Sequence, residues 1–211
     1  MTRRLPSRLY AIADGGAGRD VIDLTARLLR GGARIVQLRW KDAAAAALLA
    51  AGQTCRRLTR ERGALLLIND RVDVAIACDA DGVHLGQSDL PLSAARRLLG
   101  DTRWIGVSTH DLVQARAAAE GGADYIGFGP LFATGTKTTG YSARGLDLLR
   151  EVRHAVGVPI VGIGGIDPRL APDTIRAGAD AVAMISAIRD APDPSSAVRE
   201  LLAALGDDEP P

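Results

Sequence analysis

The chain has 211 residues, 47% of them apolar, with 26 basic side chains against 25 acidic ones. A net charge of +1 and 3% aromatic content exclude the basic footprint and the stacking rings of a nucleic-acid binder. No apolar run approaches the ~20 residues of a membrane span, and MTRRLPSR leads into no signal-peptide core, so a cytoplasmic protein without membrane partners is expected.

Eight short apolar runs follow one another, at residues 9–13, 35–38, 64–68, 82–85, 104–107, 125–128, 159–163 and 181–185. Rich in Val, Ile, Leu and aromatic side chains, they have the composition of strands buried on both faces. Helical spacing fills the intervals. Val21, Leu24, Leu28 and Leu29 make one apolar stripe, Leu48, Ala51, Cys55 and Leu58 a second, and Leu112, Ala115 and Ala119 a third. Ser108 with Asp111 three residues on has the form of a capping box, and Asp167-Pro168 reads as an N-cap followed by proline. Gly100, Gly121 and Gly178 sit where helices should stop. A faint repeat, GGARIVQLR (31–39), GGADYIGFG (121–129) and AGADAVAMI (177–185), joins a helix end to a strand.

Eight strands alternating with eight helical stretches argue for an α/β protein, and eight units favour a closed (β/α)8 TIM barrel over an open sheet. The glycines at 14–18 (DGGAG) lack the G-x-G-x-x-G spacing of a dinucleotide site. No linker divides the chain, so a single domain is expected, with loose ends at 1–7 and 206–211.

Ligands of such barrels sit where the C-terminal strand ends meet the following loops. Collected there are Asp14, then Gln37, Arg39 and Lys41, then Asn69 and Asp70, then Gln87 and Asp89. Ser108, Thr109 and His110 follow, then Thr134, Thr136 and Lys137, Gly164-Gly165, and Ile185-Ser186. Of the 26 basic residues 24 are arginine, and both lysines, Lys41 and Lys137, belong to this ring. A compact ammonium suits a point contact to a phosphate oxygen. Asp70 and Asp89 follow adjacent strands and suit Mg2+ shared with a substrate phosphate, although each also reads as a cap or turn residue. Gly164-Gly165 and Ile185-Ser186 suit a phosphate on backbone N–H groups, or a tight turn. The long loop 133–145 reads as a lid or as a solvated loop. His84 reads as a packed barrel residue and His154 as surface, while His110 reaches the ring without a metal-ligand or triad partner. Cys55 and Cys78 read as packed thiols in a reducing compartment, not a disulfide framework. The residues alone describe a site for two phosphorylated groups with Mg2+ and no evident nucleophile.

These residues also resemble the thiamine phosphate synthase family over nearly the whole chain. The matching segments are YAIAD (10–14), VQLRWK (36–41), INDRVDVA (68–75), DGVHLGQSD (81–89), IGVSTH (105–110), GFGPLFATGTK (127–137), VGIGGI (161–166) and AMISAI (183–188). The resemblance implies a Mg2+-dependent transferase. It would join 4-amino-2-methyl-5-hydroxymethylpyrimidine diphosphate to 4-methyl-5-(2-phosphooxyethyl)thiazole, giving thiamine phosphate and diphosphate. Carried over by position, Gln37, Arg39, Lys41 and Asn69 match the pyrimidine diphosphate contacts, and Asp70 and Asp89 match the Mg2+ ligands. Ser108 and Lys137 match contacts to the diphosphate substrate, and Arg39, Ser108 and Lys137 form the expected catalytic set. Thr134 and Thr136, with the backbone at Gly165, Ile185 and Ser186, match the thiazole phosphate contacts.

This chain departs from the family pattern at Ala13, where threonine is common, at Ala133, where proline is common, and in TTGYSARG after Lys137. A related thiazole tautomerase carries histidine where this chain has Pro130, and a non-catalytic barrel that binds thiamine precursors is the other rival. Arg39, Lys41, Asp70, Asp89 and Lys137, which such proteins do not need, favour the synthase. A homo-oligomer is compatible with the small-residue helices.

Overall fold

A computed structural model describes residues 3–134 and 140–207. The eight apolar runs are strands: β1 (Leu9–Asp14), β2 (Ile35–Arg39), β3 (Leu65–Asn69), β4 (Gly82–Leu85), β5 (Trp104–Thr109), β6 (Tyr125–Phe128), β7 (Ile160–Ile163) and β8 (Ala181–Met184). Each pairs in parallel with the next, and β8 returns to β1, closing the barrel in sequence order. Four strands run further than their apolar residues. Asp14 pairs with Arg39, Asn69 with His84 and Ser108 with Gly127, so polar side chains are carried on the ladder at its C-terminal end.

The described residues hold nine α-helices: α1 (Val21–Arg30), α2 (Ala45–Glu61), α3 (Val72–Ala77), α4 (Leu92–Leu99), α5 (Leu112–Glu120), α6 (Gly145–Ala155), α7 (Ala171–Arg176), α8 (Ser186–Arg189) and α9 (Pro194–Ala204). The one beyond the eight expected arises after β8, where Asp193 caps a new helix through Ser195 N–H and Ser196 N–H with Pro194 in its first turn. That helix lies against α1, and Ser195 Oγ donates to the Arg27 carbonyl at 3.0 Å. The stripe Val21, Leu24, Leu28 and Leu29 is buried as its spacing predicts.

Two punctuation marks act differently from their expected form. Ser108 is inside β5, and α5 is capped by Asp111, which accepts from Gln114 N–H at 2.8 Å. The β5 ladder continues through Thr109, which keeps Ser108 extended and unable to cap a helix. Asp167 accepts from Arg169 N–H and Leu170 N–H, both at 2.9 Å, and closes a turn that leads into α7 at Ala171. Of the segments expected to be loose, residues 3–7 and 206–207 are held: Ser7 Oγ and Arg8 N–H donate to the Asp207 carboxylate. Arg3 donates to the carbonyls of Asp101 and Thr102.

The base of the barrel explains much of the arginine. Asp81, Asp124 and Asp180 each stand just before an even-numbered strand. Each accepts the backbone N–H that opens the preceding odd strand (Leu66, Ile105 and Ile160) at 2.7–2.8 Å. Each also binds an arginine from the helix that precedes that odd strand: Arg56 of α2 at 2.6 Å, Arg96 of α4 at 2.6 Å and Arg153 of α6 at 2.9 Å. The planar guanidinium reaches backbone carbonyls at the same time, as Arg96 does at Gly100 and Arg103, which an ammonium could not match. Two units of the faint repeat, 121–129 and 177–185, thus carry the aspartate of an Asp–Arg staple, at the end of the barrel opposite the polar strand ends, while the first has Arg34 there, paired with Asp207. Cys55 and Cys78 are buried and free, and burial pushes the Cys55 thiol up to about 11, as suits packed, unreactive cysteines. His154 is exposed on α6. No helix among the described residues is long and apolar enough to cross a membrane.

Candidate active site

The polar strand ends converge at one mouth. On the β1–β4 side, Lys41 Nζ lies 3.0 Å from Asp70 Oδ2. Asp70 sits at φ 63°, in the left-handed region, while its N–H donates to the His84 carbonyl and the Arg71 N–H donates back to Asn69. Such a conformation is costly for a residue with a Cβ and is retained where its side chain must be aimed. Asp70 does not cap α3: its carboxylate goes to Lys41, and no side chain caps that helix.

Asp89 accepts the Gly86 N–H at 2.6 Å, so it both closes a turn and faces Asp70. Burial pushes the Asp89 carboxyl above the usual carboxylate range. The Gly86 hydrogen bond opposes the shift, the adjoining Asp70 carboxyl adds to it, and Lys41 pulls back. Two carboxylates that repel one another beside a single ammonium are a donor set that a hard divalent cation relieves. Among the described residues no group of three His, Cys, Asp or Glu side chains could complete a metal cage. Asp70 and Asp89 offer two hard oxygen donors, a number that Mg2+ accepts where other oxygens complete its shell.

Arg39 ends β2 with its Nη1 2.9 Å from Asp14 Oδ2. Asp14 is buried, accepts the Gly16 N–H, and has Arg189 of α8 at 3.8 Å on the same oxygen. The Asp14 carboxylate thus bridges the β2 end to the loop after β8.

Beneath the mouth, a cavity of about 40 Å³ inside the barrel is lined by Gln37, Arg39, Asn69 and Ser108 together with Tyr10, His84 and Tyr125. The last three are site neighbours that the apolar composition of their strands conceals. Tyr10 and Tyr125 are fully packed rings, while His84 bonds Ser108 Oγ at 2.9 Å. On the β5–β8 side a larger cavity of about 600 Å³ opens, lined by Ser108, Thr134, Gly164-Gly165, Ile185 and Ser186. Ser108 and Ile185 border both spaces, so the two adjoin. Gly164 and Gly165 have φ of 92° and 68°, and a Cβ on Gly165 would come within 2.5 Å of the Ala133 carbonyl oxygen. Glycine is therefore required where this backbone turns along the cavity wall. Pro130 lines the same cavity, and His110, whose Nδ1 bonds the Gly129 carbonyl, stacks on Tyr141 with ring centroids 4.0 Å apart. Thr136 and Lys137 lie outside the described residues.

The mouth thus pairs a charged rim suited to a diphosphate and a cation with a glycine-walled cavity suited to a second ligand. The family model described as thiamine monophosphate synthase matches residues 9–188. The thiamine-phosphate synthase of Chloroflexus aurantiacus is 47% identical over 200 residues, covering 94% of this chain and 92% of that protein. That of Moorella thermoacetica is 48% identical over 186 residues, covering 88% and 89% respectively. The solved thiamine phosphate pyrophosphorylase from Pyrococcus furiosus superimposes with a TM-score of 0.89 at 37% identity, over 95% of this chain and 96% of that one. With strand order, mouth chemistry and extent of match in agreement, the chain belongs to the thiamine monophosphate synthase family.

Proposed function

We propose that the protein condenses hydroxymethylpyrimidine diphosphate with thiazole phosphate, giving thiamine phosphate and diphosphate. The observation that carries this reading is the adjoining pair of spaces. Arg39 and Asn69 line the first, with the Lys41–Asp70 pair on the loops that follow their strands, and Gly164-Gly165 and Ile185-Ser186 line the second. Thr134 lines that second space and serves the thiazole phosphate, as Thr136 does by its family position.

The pyrimidine diphosphate occupies the charged side, with Gln37 and Asn69 towards the ring and Arg39, Lys41 and Ser108 towards the phosphates. Asp70 and Asp89 are the residues that would hold Mg2+, which when bound supplies positive charge against the leaving diphosphate. The bond between the pyrimidine methylene carbon and the diphosphate oxygen breaks, and the electron pair leaves with the diphosphate. Arg39 and Lys41, with Lys137 by its family position, offset the charge that accumulates there. The thiazole nitrogen, held next to the methylene carbon by the second space, supplies the pair for the new C–N bond. Positioning and electrostatics do the work, and no side chain need act as a nucleophile.

Purified protein given both precursors and Mg2+ is expected to release diphosphate and form thiamine phosphate in equal amounts. Isomerisation of the thiazole precursor without a coupled product would overturn the assignment in favour of a tautomerase.

Asp14 enters this reading as a positioning residue. Asp14→Asn leaves Arg39 and Arg189 without the carboxylate between them. It is expected to raise KM for the pyrimidine diphosphate about tenfold, the loss of a charge-assisted hydrogen bond. Steady-state kinetics with each substrate varied in turn checks this, and an unchanged KM removes the role.

A further inference from the structure

Five side chains inside the barrel form one continuous hydrogen-bonded chain, and both of its ends are residues assigned above to substrate. Gln37 Nε2 donates to the Tyr10 hydroxyl at 2.9 Å, and the hydroxyls of Tyr10 and Tyr125 lie 2.8 Å apart. The Tyr125 hydroxyl is 3.0 Å from His84 Nδ1, and His84 Nε2 is 2.9 Å from Ser108 Oγ. Gln37, Tyr10 and Tyr125 are at most 3% exposed, so solvent does not compete for these bonds.

The direction of the chain follows from the Gln37 amide, which turns its Nε2 to Tyr10, together with a count of protons. Each hydroxyl has one to give. Tyr10 accepts from Gln37, and among the described residues its only other partner is Tyr125, so Tyr10 donates there. With Gln37 Nε2 donating, the reverse assignment strands a buried hydroxyl proton with no acceptor. Tyr125, accepting from Tyr10, donates its own proton to His84 Nδ1. An imidazole that accepts at Nδ1 carries its proton on Nε2 and donates it to Ser108 Oγ. Ser108, accepting there, has its hydroxyl proton left to give to the cavity. Burial pushes both tyrosine hydroxyls well above their ordinary range, so both keep the protons this direction requires.

We propose that Tyr10, Tyr125 and His84 are a positioning network that fixes hydrogen-bond polarity at both substrate contacts. Gln37 is left presenting its carbonyl oxygen, and Ser108 its O–H. The two polarities match the ligands of the proposed function, on which this inference rests. An aminopyrimidine offers N–H to an acceptor, whereas diphosphate oxygens take only donors. The barrel is built around these rings. A Cβ on Gly106 would fall 2.0 Å from Tyr125 Cζ, and one on Gly127 would fall 3.0 Å from His84 Cε1.

The test is the His84 tautomer, read from its imidazole 15N shifts and assigned by difference against His84→Asn. The unsubstituted protein is expected to carry the proton on Nε2. Tyr10→Phe, remote from Ser108, cuts the chain at Gln37. It is expected to yield a mixture of tautomers and to lower kcat/KM for the pyrimidine diphosphate about tenfold, the value of one buried hydrogen bond. KM for the thiazole phosphate should stay unchanged, and thermal melting checks that the variant is folded. A purely structural role for Tyr10 would leave the ring protons of His84 where they are. An Nδ1–H tautomer in the unsubstituted protein, or Tyr10→Phe kinetics within about twofold of it, overturns the network. The ring measurement needs no substrate. A protein with the Nε2 proton that forms no thiamine phosphate would therefore overturn the synthase reading while supporting the polarity.

Discussion

Asp70→Asn is expected to lower kcat by about 10²- to 10³-fold while leaving the melting temperature nearly unchanged. The substitution is close to isosteric, and asparagine tolerates the left-handed backbone at φ 63° as well as aspartate does. Its side-chain oxygen still accepts from Lys41, and the exposed Lys41–Asp70 pair contributes only about 0–1 kcal/mol to folding. What disappears is one of the two negative charges that suit Asp70 and Asp89 to Mg2+. The activity loss should be partly recovered at raised Mg2+, because the remaining carboxylate binds the cation more weakly. KM for the thiazole phosphate, assigned to the larger cavity on the β5–β8 side, should not follow. Steady-state rates across a Mg2+ titration make the measurement. Unchanged kcat at limiting Mg2+ would remove the metal role of Asp70.

Gly106→Ala carries the largest expected effect on stability. The added methyl would lie 2.0 Å from Tyr125 Cζ and 2.3 Å from its hydroxyl oxygen, deep inside a closed barrel. Tyr125 is fully buried, and its ring cannot swing aside without leaving Tyr10 and His84. Overpacking together with a broken buried hydrogen bond is expected to cost about 3 kcal/mol, or roughly 6–12 °C in Tm. Activity should fall with it, since His84 loses the Tyr125 hydroxyl at Nδ1. Adding Tyr125→Leu to the alanine variant relieves the clash and should restore part of the stability but none of the activity. Thermal melts of the single and double variants, with coupling rates for each, decide the matter. A Gly106→Ala protein melting within about 1 °C of the parent would contradict the packing argument.

The barrel was legible because its strands are short, apolar and regularly spaced, and because burial on both faces removes any ambiguity of phase. The site ring was legible for the same reason: chain positions just past each run must emerge at one end. Lys41, Asp70 and Asp89 do meet there. Three contributors were not legible. Tyr10, His84 and Tyr125 sit within apolar runs, where an aromatic ring reads as core, and each is indeed packed. Counting by twos from Gln37 and Ser108 gives the inward-facing phase of β2 and β5. It does not reveal that Tyr10 of β1 meets Tyr125 of β6, because those strands are not neighbours. Only closure brings their hydroxyls together across the barrel.

The surplus of arginine over lysine shows the same division. By itself the sequence determined that the chain is nearly neutral, that it alternates strand and helix eight times, and that its two lysines fall in the ring of strand ends. The tertiary structure alone decided what binds the arginines. Arg56, Arg96 and Arg153 lie on helices whose ends point to the base of the barrel, where Asp81, Asp124 and Asp180 bind them. Arg39 lies at the opposite end of a strand and is held at the mouth by Asp14. The side chains are chemically identical. Direction along the barrel axis, which exists only once eight strands close on one another, separates a staple at the base from a side chain at the mouth.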